Sequence, residues 1–182
     1  MANPVVGTEL IDILPVNAST LQPAPYRETV SVNQLTQNST GGSVSAYATS
    51  TLTATSNTTL ALIPGMTVTL LAGAVYDVEL YITGTANASG GLKVALGGTA
   101  TATSLSIDTW VYNSTAVAAQ GVVTSLASNL VANTGAFTTL FASGTIQVNA
   151  GGTLTVTAAQ NVSFATASTF LVNSNIVLTR IA

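Results

Sequence analysis

The feature that most narrows what this chain can fold into is a two-residue rhythm of apolar and polar side chains that begins near Ser43. Leu60 and Leu62 are followed by Val68 and Leu70, which interleave with Thr67 and Thr69. Tyr76, Val78, Leu80 and Ile82 alternate with Asp77, Glu79 and Tyr81. Later, Ile146 and Val148 alternate with Thr145 and Gln147, and Leu154 and Val156 with Thr153, Thr155 and Thr157. Successive side chains of a strand point to opposite faces, so this period marks strands with one face on a core. β-Branched Val and Thr suit that pleated surface. Turn-forming clusters at Pro64-Gly65, 87–91, Gly97-Gly98, 133–135 and 149–152 cut the run into short strands. The pattern predicts an all-β domain over 43–182, a jelly-roll β-sandwich. One stretch fits two readings. Residues 116–131 suit a strand pair, or a short helix with Val122, Leu126 and Leu130 on one face, and we read them as strand and loop.

Residues 1–42 follow a different rule. Pro4, Pro15, Pro23 and Pro25 fall there, and proline fixes φ, removes a backbone donor and extends the residue before it. An extended N-terminal arm is expected. Its apolar groups, Val5, Val6, Leu10, Ile11, Ile13, Leu14 and Tyr26, are the candidate attachment residues, and Gly41-Gly42 offers a hinge.

Composition then removes whole classes of function. Charged residues make up 5% of the chain, against about 25% in ordinary soluble domains. The cations are Arg27, Lys93 and Arg180, too few for the phosphate contacts of a nucleic-acid binder or for a polybasic membrane patch. No apolar stretch reaches the roughly 18 residues of a spanning helix. The opening residues lack the basic and apolar regions of a signal peptide, so synthesis in the cytoplasm without membrane insertion is expected. With no histidine and no cysteine, imidazole bases, serine triads, thiolate nucleophiles and His/Cys metal sites are out of reach. The expectation is a protein that is not an enzyme, with no catalytic residue, cofactor or metal.

Three groups of residues carry candidate chemistry. Asp77 and Glu79 lie two apart on one strand and share its polar face, as a carboxylate pair for glycoside hydrolysis or calcium would. A solvated or interface-facing pair is the simpler account. Lys93 follows a glycine cluster but lacks the spacing of a phosphate loop, and a hairpin turn explains the glycines. Trp110 and Tyr112 alternate around Val111, the pattern of a sugar-stacking platform and also of core or subunit contacts. Sequons at Asn17, Asn38, Asn57, Asn87, Asn113 and Asn161 follow from the abundance of Asn, Ser and Thr.

A resemblance adds to these readings. Residues 72–84 (AGAVYDVELYITG) and 91–98 (GLKVALGG) resemble the middle strands of small tailed-phage virion jelly rolls. Residues 144–161 (GTIQVNAGGTLTVTAAQN) and 174–181 (SNIVLTRI) fit the same pattern. Such domains are similar in topology to the trimeric tumour-necrosis-factor and complement globular-head fold. The lead 7–15 (GTELIDILP) resembles the attachment segment of phage fibre and head-decoration proteins. The resemblance implies a homotrimeric capsid decoration (cement) or head-fibre protein of the virion, held by its arm to the major capsid protein or other virion proteins. The alternative is a tail fibre or receptor-binding protein with a glycan-binding tip. Arg180, at the end of the last strand, is a candidate partner for Asp77, Glu79 or Asp108, within or between subunits.

Overall fold

A computed structural model describes residues 41–114, 116–126, 128–133 and 135–182. The candidate attachment residues, from Val5 to Tyr26, lie outside the described residues. Those described form strands and turns with no helix. In chain order the strands are β1 (Ser43–Tyr47), β2 (Leu52–Ala54), β3 (Ala61–Leu70), β4 (Val75–Ala86), β5 (Leu92–Gly98) and β6 (Ala102–Tyr112). They continue with β7 (Val117–Val123), β8 (Asn129–Asn133), β9 (Phe137–Val148), β10 (Gly152–Ala159), β11 (Ser168–Phe170) and β12 (Asn175–Arg180).

Two antiparallel sheets face each other as a β-sandwich. The larger runs β1-β12-β4-β9-β6-β7, with β11 joining β2 to β4, and the smaller runs β3-β10-β5-β8. The alternation read from the sequence supplies the filling. Tyr76, Val78, Leu80 and Ile82 of β4, Ile146 and Val148 of β9, and Leu154 and Val156 of β10 are buried in one core. Phe137 and Phe170 pack at 6.1 Å between ring centroids at one end of it. Residues 116–131 divide between β7 and β8, which belong to different sheets. Val122 is exposed and Leu130 buried, so the three apolar residues of the helical alternative do not share a face.

Two expectations are corrected. Pro64-Gly65 is not a turn between strands but a bulge inside β3. Thr67 pairs with Thr155 and Leu62 with Thr157, so residues 63–66 stand against Val156 alone. The surplus reverses the side-chain parity. Leu62 is exposed, while Ile63 and Met66 fill the core ahead of Val68 and Leu70. Pro64 keeps its ring at a position that needs no donor, and its carbonyl accepts the Thr49 N–H at 2.8 Å. Because Thr49 follows β1 of the other sheet, the bulge closes one edge of the sandwich.

The glycines before Lys93 do not make a hairpin either. They turn the chain from β4 in one sheet to β5 in the other. Asn87 organises that corner. Its carbonyl accepts the Gly90 and Gly91 N–H groups at 3.2 and 2.7 Å, and its side-chain oxygen accepts the Ser89 N–H at 2.8 Å.

At the start of the described chain, Gly41 N–H donates to the Arg180 carbonyl at 2.6 Å, and Arg180 N–H donates to the Gly42 carbonyl at 2.7 Å. The glycine pair therefore continues the β1–β12 ladder at the edge of the larger sheet.

Candidate functional site

Among the described residues, the outward face of the larger sheet gathers the carboxylates and most of the exposed aromatic side chains. Register decides which side chains meet there. Tyr47 of β1 stands opposite Asn175 of β12, and Asn175 opposite Tyr81 of β4. Tyr81 stands opposite Phe141 of β9, Phe141 opposite Trp110 of β6, and Trp110 opposite Gln120 of β7. One row of side chains thus crosses the sheet, and four of its six members are aromatic. Tyr112 extends it from the position two beyond Trp110. Outward aromatics on a sheet are ordinary when scattered, but Tyr81, Phe141 and Trp110 are direct neighbours here, with Tyr47 one strand further on beyond Asn175. Tyr47, Tyr81 and Tyr112 keep 67%, 40% and 38% of their surface exposed. The Trp110 and Phe141 rings hold each other at 5.7 Å between centroids, tilted by 30°.

The neighbouring rows carry the acids. Glu79 and Asp108 flank Ser143 from opposite sides, which separates their backbones by about two strand spacings, roughly 10 Å. Asp77 lies one row further, opposite Thr145. The sequence holds six carboxylates, and all of those in the described residues project from this face. Among the described residues none of the three has a hydrogen-bond or ion-pair partner.

The two cations among the described residues lie elsewhere. Lys93 lies on β5 of the smaller sheet, its ammonium donating to the Thr58 carbonyl at 2.6 Å. Arg180 stands opposite Tyr76, on the inward parity of β12, and its Nε donates to the Ala182 carbonyl at 3.1 Å. Asp77 and Glu79 have the outward parity, so the ladder sets Arg180 on the other side of the sheet from both.

Over β6 and β7 the face sinks into a depression of about 410 Å³ lined by Asp108, Thr109, Trp110, Gln120, Gly121 and Val122. Two cross-strand pairs, Asp108 with Val122 and Trp110 with Gln120, form its rim. Between them lie Thr109 and Gly121, and Gly121 adds no side chain. Thr109 turns inward, where its hydroxyl reaches the Gly121 and Leu130 carbonyls at 3.2 Å each. That contact ties the edge hairpin to the opposite sheet and fixes the floor of the depression.

The outward face of the smaller sheet is a different surface. Thr69 pairs with Thr153 and Thr67 with Thr155, while Thr155 and Thr157 pair with Gly97 and Ala95. Lys93, at its margin, is the one charged side chain of that sheet.

Sequence spacing had put Asp77 with Glu79, and Trp110 with Tyr112, and the strands hold each pair on one face. Their union, and the entry of Tyr47, Tyr81, Phe141 and Asp108, come from pairing between distant strands. For the calcium reading, no group of three acidic, histidine or cysteine side chains among the described residues is placed to hold a metal ion. No helix among them is long and apolar enough to cross a membrane. Comparison with protein-family models finds no match, and comparison with curated proteins finds no relative.

Proposed function

We propose that the protein is a non-enzymatic structural component of a bacteriophage virion, made in the host cytoplasm. In this reading it is a homotrimer that decorates the capsid or forms a head fibre. Residues 1–42 fasten it to the major capsid protein or another virion protein. The observation that carries the reading is how charge is confined. The body keeps its carboxylates on one sheet face and paves the other with Thr, Gly and Ala. Hydroxyl groups can be buried against a neighbouring copy at far lower desolvation cost than ions, and a face whose one charge, Lys93, sits at the margin meets a copy with little like-charge repulsion.

Strand order supports the architecture side of the proposal. The series β1-β12-β4-β9 facing β3-β10-β5-β8, with the β6–β7 hairpin at one edge, supports reading the sandwich as a jelly roll. Gly41 and Gly42, the first described residues, pair with β12 beside the β1 edge, and strand addition to a partner is the role proposed for the residues before them. The aromatic row favours a second reading, a tail fibre or receptor-binding protein with a glycan-binding tip.

Counting copies in purified particles tests both. Hundreds of copies per virion are expected of a decoration protein, and about a dozen would move the assignment to the tail. Removing residues 1–42 is expected to leave a folded trimer that no longer attaches. An arm-less protein that still decorates particles would contradict the attachment role.

A further inference from the structure

We propose that the outward face of the larger sheet binds a neutral hexopyranose oligosaccharide, with the depression over Asp108, Trp110 and Gln120 as its principal subsite. The inference deepens the glycan-binding reading and rests on it for biological context. It stands equally for a decoration protein that displays this face.

The argument begins with what a pyranose presents to a protein. Its ring has apolar C–H faces and an equator of hydroxyl groups. Recognition therefore needs a flat aromatic surface for the faces and acceptors or amides for the edges. The sheet supplies both in adjacent rows. Tyr47, Tyr81, Phe141 and Trp110 form the apolar track. Asn175 and Gln120 lie within that same row, and Glu79, Ser143 and Asp108 line the row beside it. From Tyr47 to Trp110 the track crosses four strand spacings, about 19 Å at about 4.8 Å each, which is room for several linked sugars.

The depression gives this track a defined end. It is shallow and open to solvent, lined by six residues of β6 and β7, which suits a chain lying along the sheet better than an enclosed small molecule. Trp110 is held against Phe141 on one side, so its indole is positioned in advance of binding. The Asp108 carboxylate and the Gln120 amide have no hydrogen-bond partner among the described residues. A carboxylate can accept from two hydroxyls at once, and an amide both donates and accepts.

Charge narrows the ligand further. Asp77, Glu79 and Asp108 share the face, Lys93 sits on the other sheet, and the ladder turns Arg180 inward. A sulfated, phosphorylated or uronic-acid chain would meet repulsion here. The aromatic groups form a line and not a cage around one point, which suits an extended oligosaccharide better than a quaternary ammonium ion. A neutral chain of hexoses satisfies every one of these conditions.

Trp110 is the sole tryptophan, so its emission reports on this subsite alone. The test is a titration of the full chain with maltohexaose, cellohexaose and laminarihexaose, and with heparin as the polyanionic control. Fluorescence and binding heat are both recorded. At least one neutral hexasaccharide is expected to shift the Trp110 emission saturably at millimolar concentration or below, with heparin giving no shift. Trp110→Ala and Asp108→Asn should each weaken the calorimetric affinity about tenfold or more, with the thermal midpoint held in Asp108→Asn and a cooperative unfolding transition kept in Trp110→Ala. Gln120→Ala, on an exposed edge strand, gives a third variant whose folding is not at risk, and it should weaken binding as well. No saturable response to any of the three sugars would overturn the proposal, as would heparin binding equally well. So would a Trp110→Ala protein that loses self-association and keeps its sugar affinity, because the face would then be a subunit contact. The titration uses isolated protein, so its failure leaves the particle count of the assembly proposal standing.

Discussion

Gln160 shows how much a single polar side chain holds in a body with so little charge. It is fully buried, and both ends of its amide are used. Nε2 donates to the Phe164 and Thr166 carbonyls at 3.0 and 2.7 Å, and Oε1 accepts the Phe164 N–H at 3.2 Å and the Asn57 N–H at 3.3 Å. The 160–166 loop and the loop before β3 are thus organised around one group. Gln160→Leu fills a similar space and strands those backbone groups, each worth about 1–3 kcal/mol when buried without a partner. We expect a loss of about 2 kcal/mol or more in urea unfolding, read as a lower midpoint at unchanged slope. Ser168 and Ser174 are smaller cases. The Ser168 hydroxyl donates to the Gly91 carbonyl at 2.8 Å, and the Ser174 hydroxyl accepts the Thr83 N–H at 3.1 Å. The asparagines of three sequons act on their own turns. Asn57, Asn87 and Asn113 accept the N–H groups of Thr59, Ser89 and Ala116 at 2.8, 2.8 and 2.9 Å. None of the buried polar contacts was legible in the sequence, because each joins a side chain to backbone that only the tertiary fold brings near.

At the scale of the element, legibility divides along the same line. The strands β4, β9 and β10 were readable because their alternation has to match a one-sided core over many residues. The β3 bulge was not, since Pro-Gly signals a turn as readily as it signals a bulge, and only the pairing with β10 separates them. The aromatic row escaped for a related reason. Tyr47, Tyr81, Phe141 and Trp110 are far apart in sequence, and register between strands is not written in any one strand. The bulge makes a sharp prediction. Gly65 has φ of 85°, and a Cβ there would lie 2.6 Å from the Tyr47 carbonyl oxygen. Gly73 has φ of 74° with open space around it. Gly73→Ala should therefore cost only the backbone strain, about 1 kcal/mol, and Gly65→Ala clearly more. Thermal midpoints of the two variants measure the difference, and equal losses would mean that the β1 contact does not matter. The edge strand β7 is a second element with consequences. It is free of Lys, Glu, Asp and Pro and exposes Val117 and Val122, so it lacks the usual guards against edge pairing. Ala118→Lys should reduce non-specific association at high concentration, measured by light scattering, without altering the thermal midpoint.

Across the whole molecule, the chain passes from one sheet to the other at most of its connections, and the β6–β7 hairpin is the one local pairing of long strands. Nearly every contact must close a long loop before it is rewarded, so refolding on the millisecond-to-second scale is expected in stopped-flow mixing. The two outward faces then divide the work proposed here. The acidic aromatic face is open to a ligand, and the neutral threonine face is open to copies. Assembly through neutral surfaces depends on apolar burial and hydrogen bonding, which salt screens little, whereas contacts between exposed ions weaken as the Debye length falls. In the proposed function the lack of charge serves contacts between copies. Sedimentation equilibrium of the full chain at micromolar concentration, in low and in high salt, tests it most directly. The mass of a trimer is expected under both conditions. A monomer in either would contradict it.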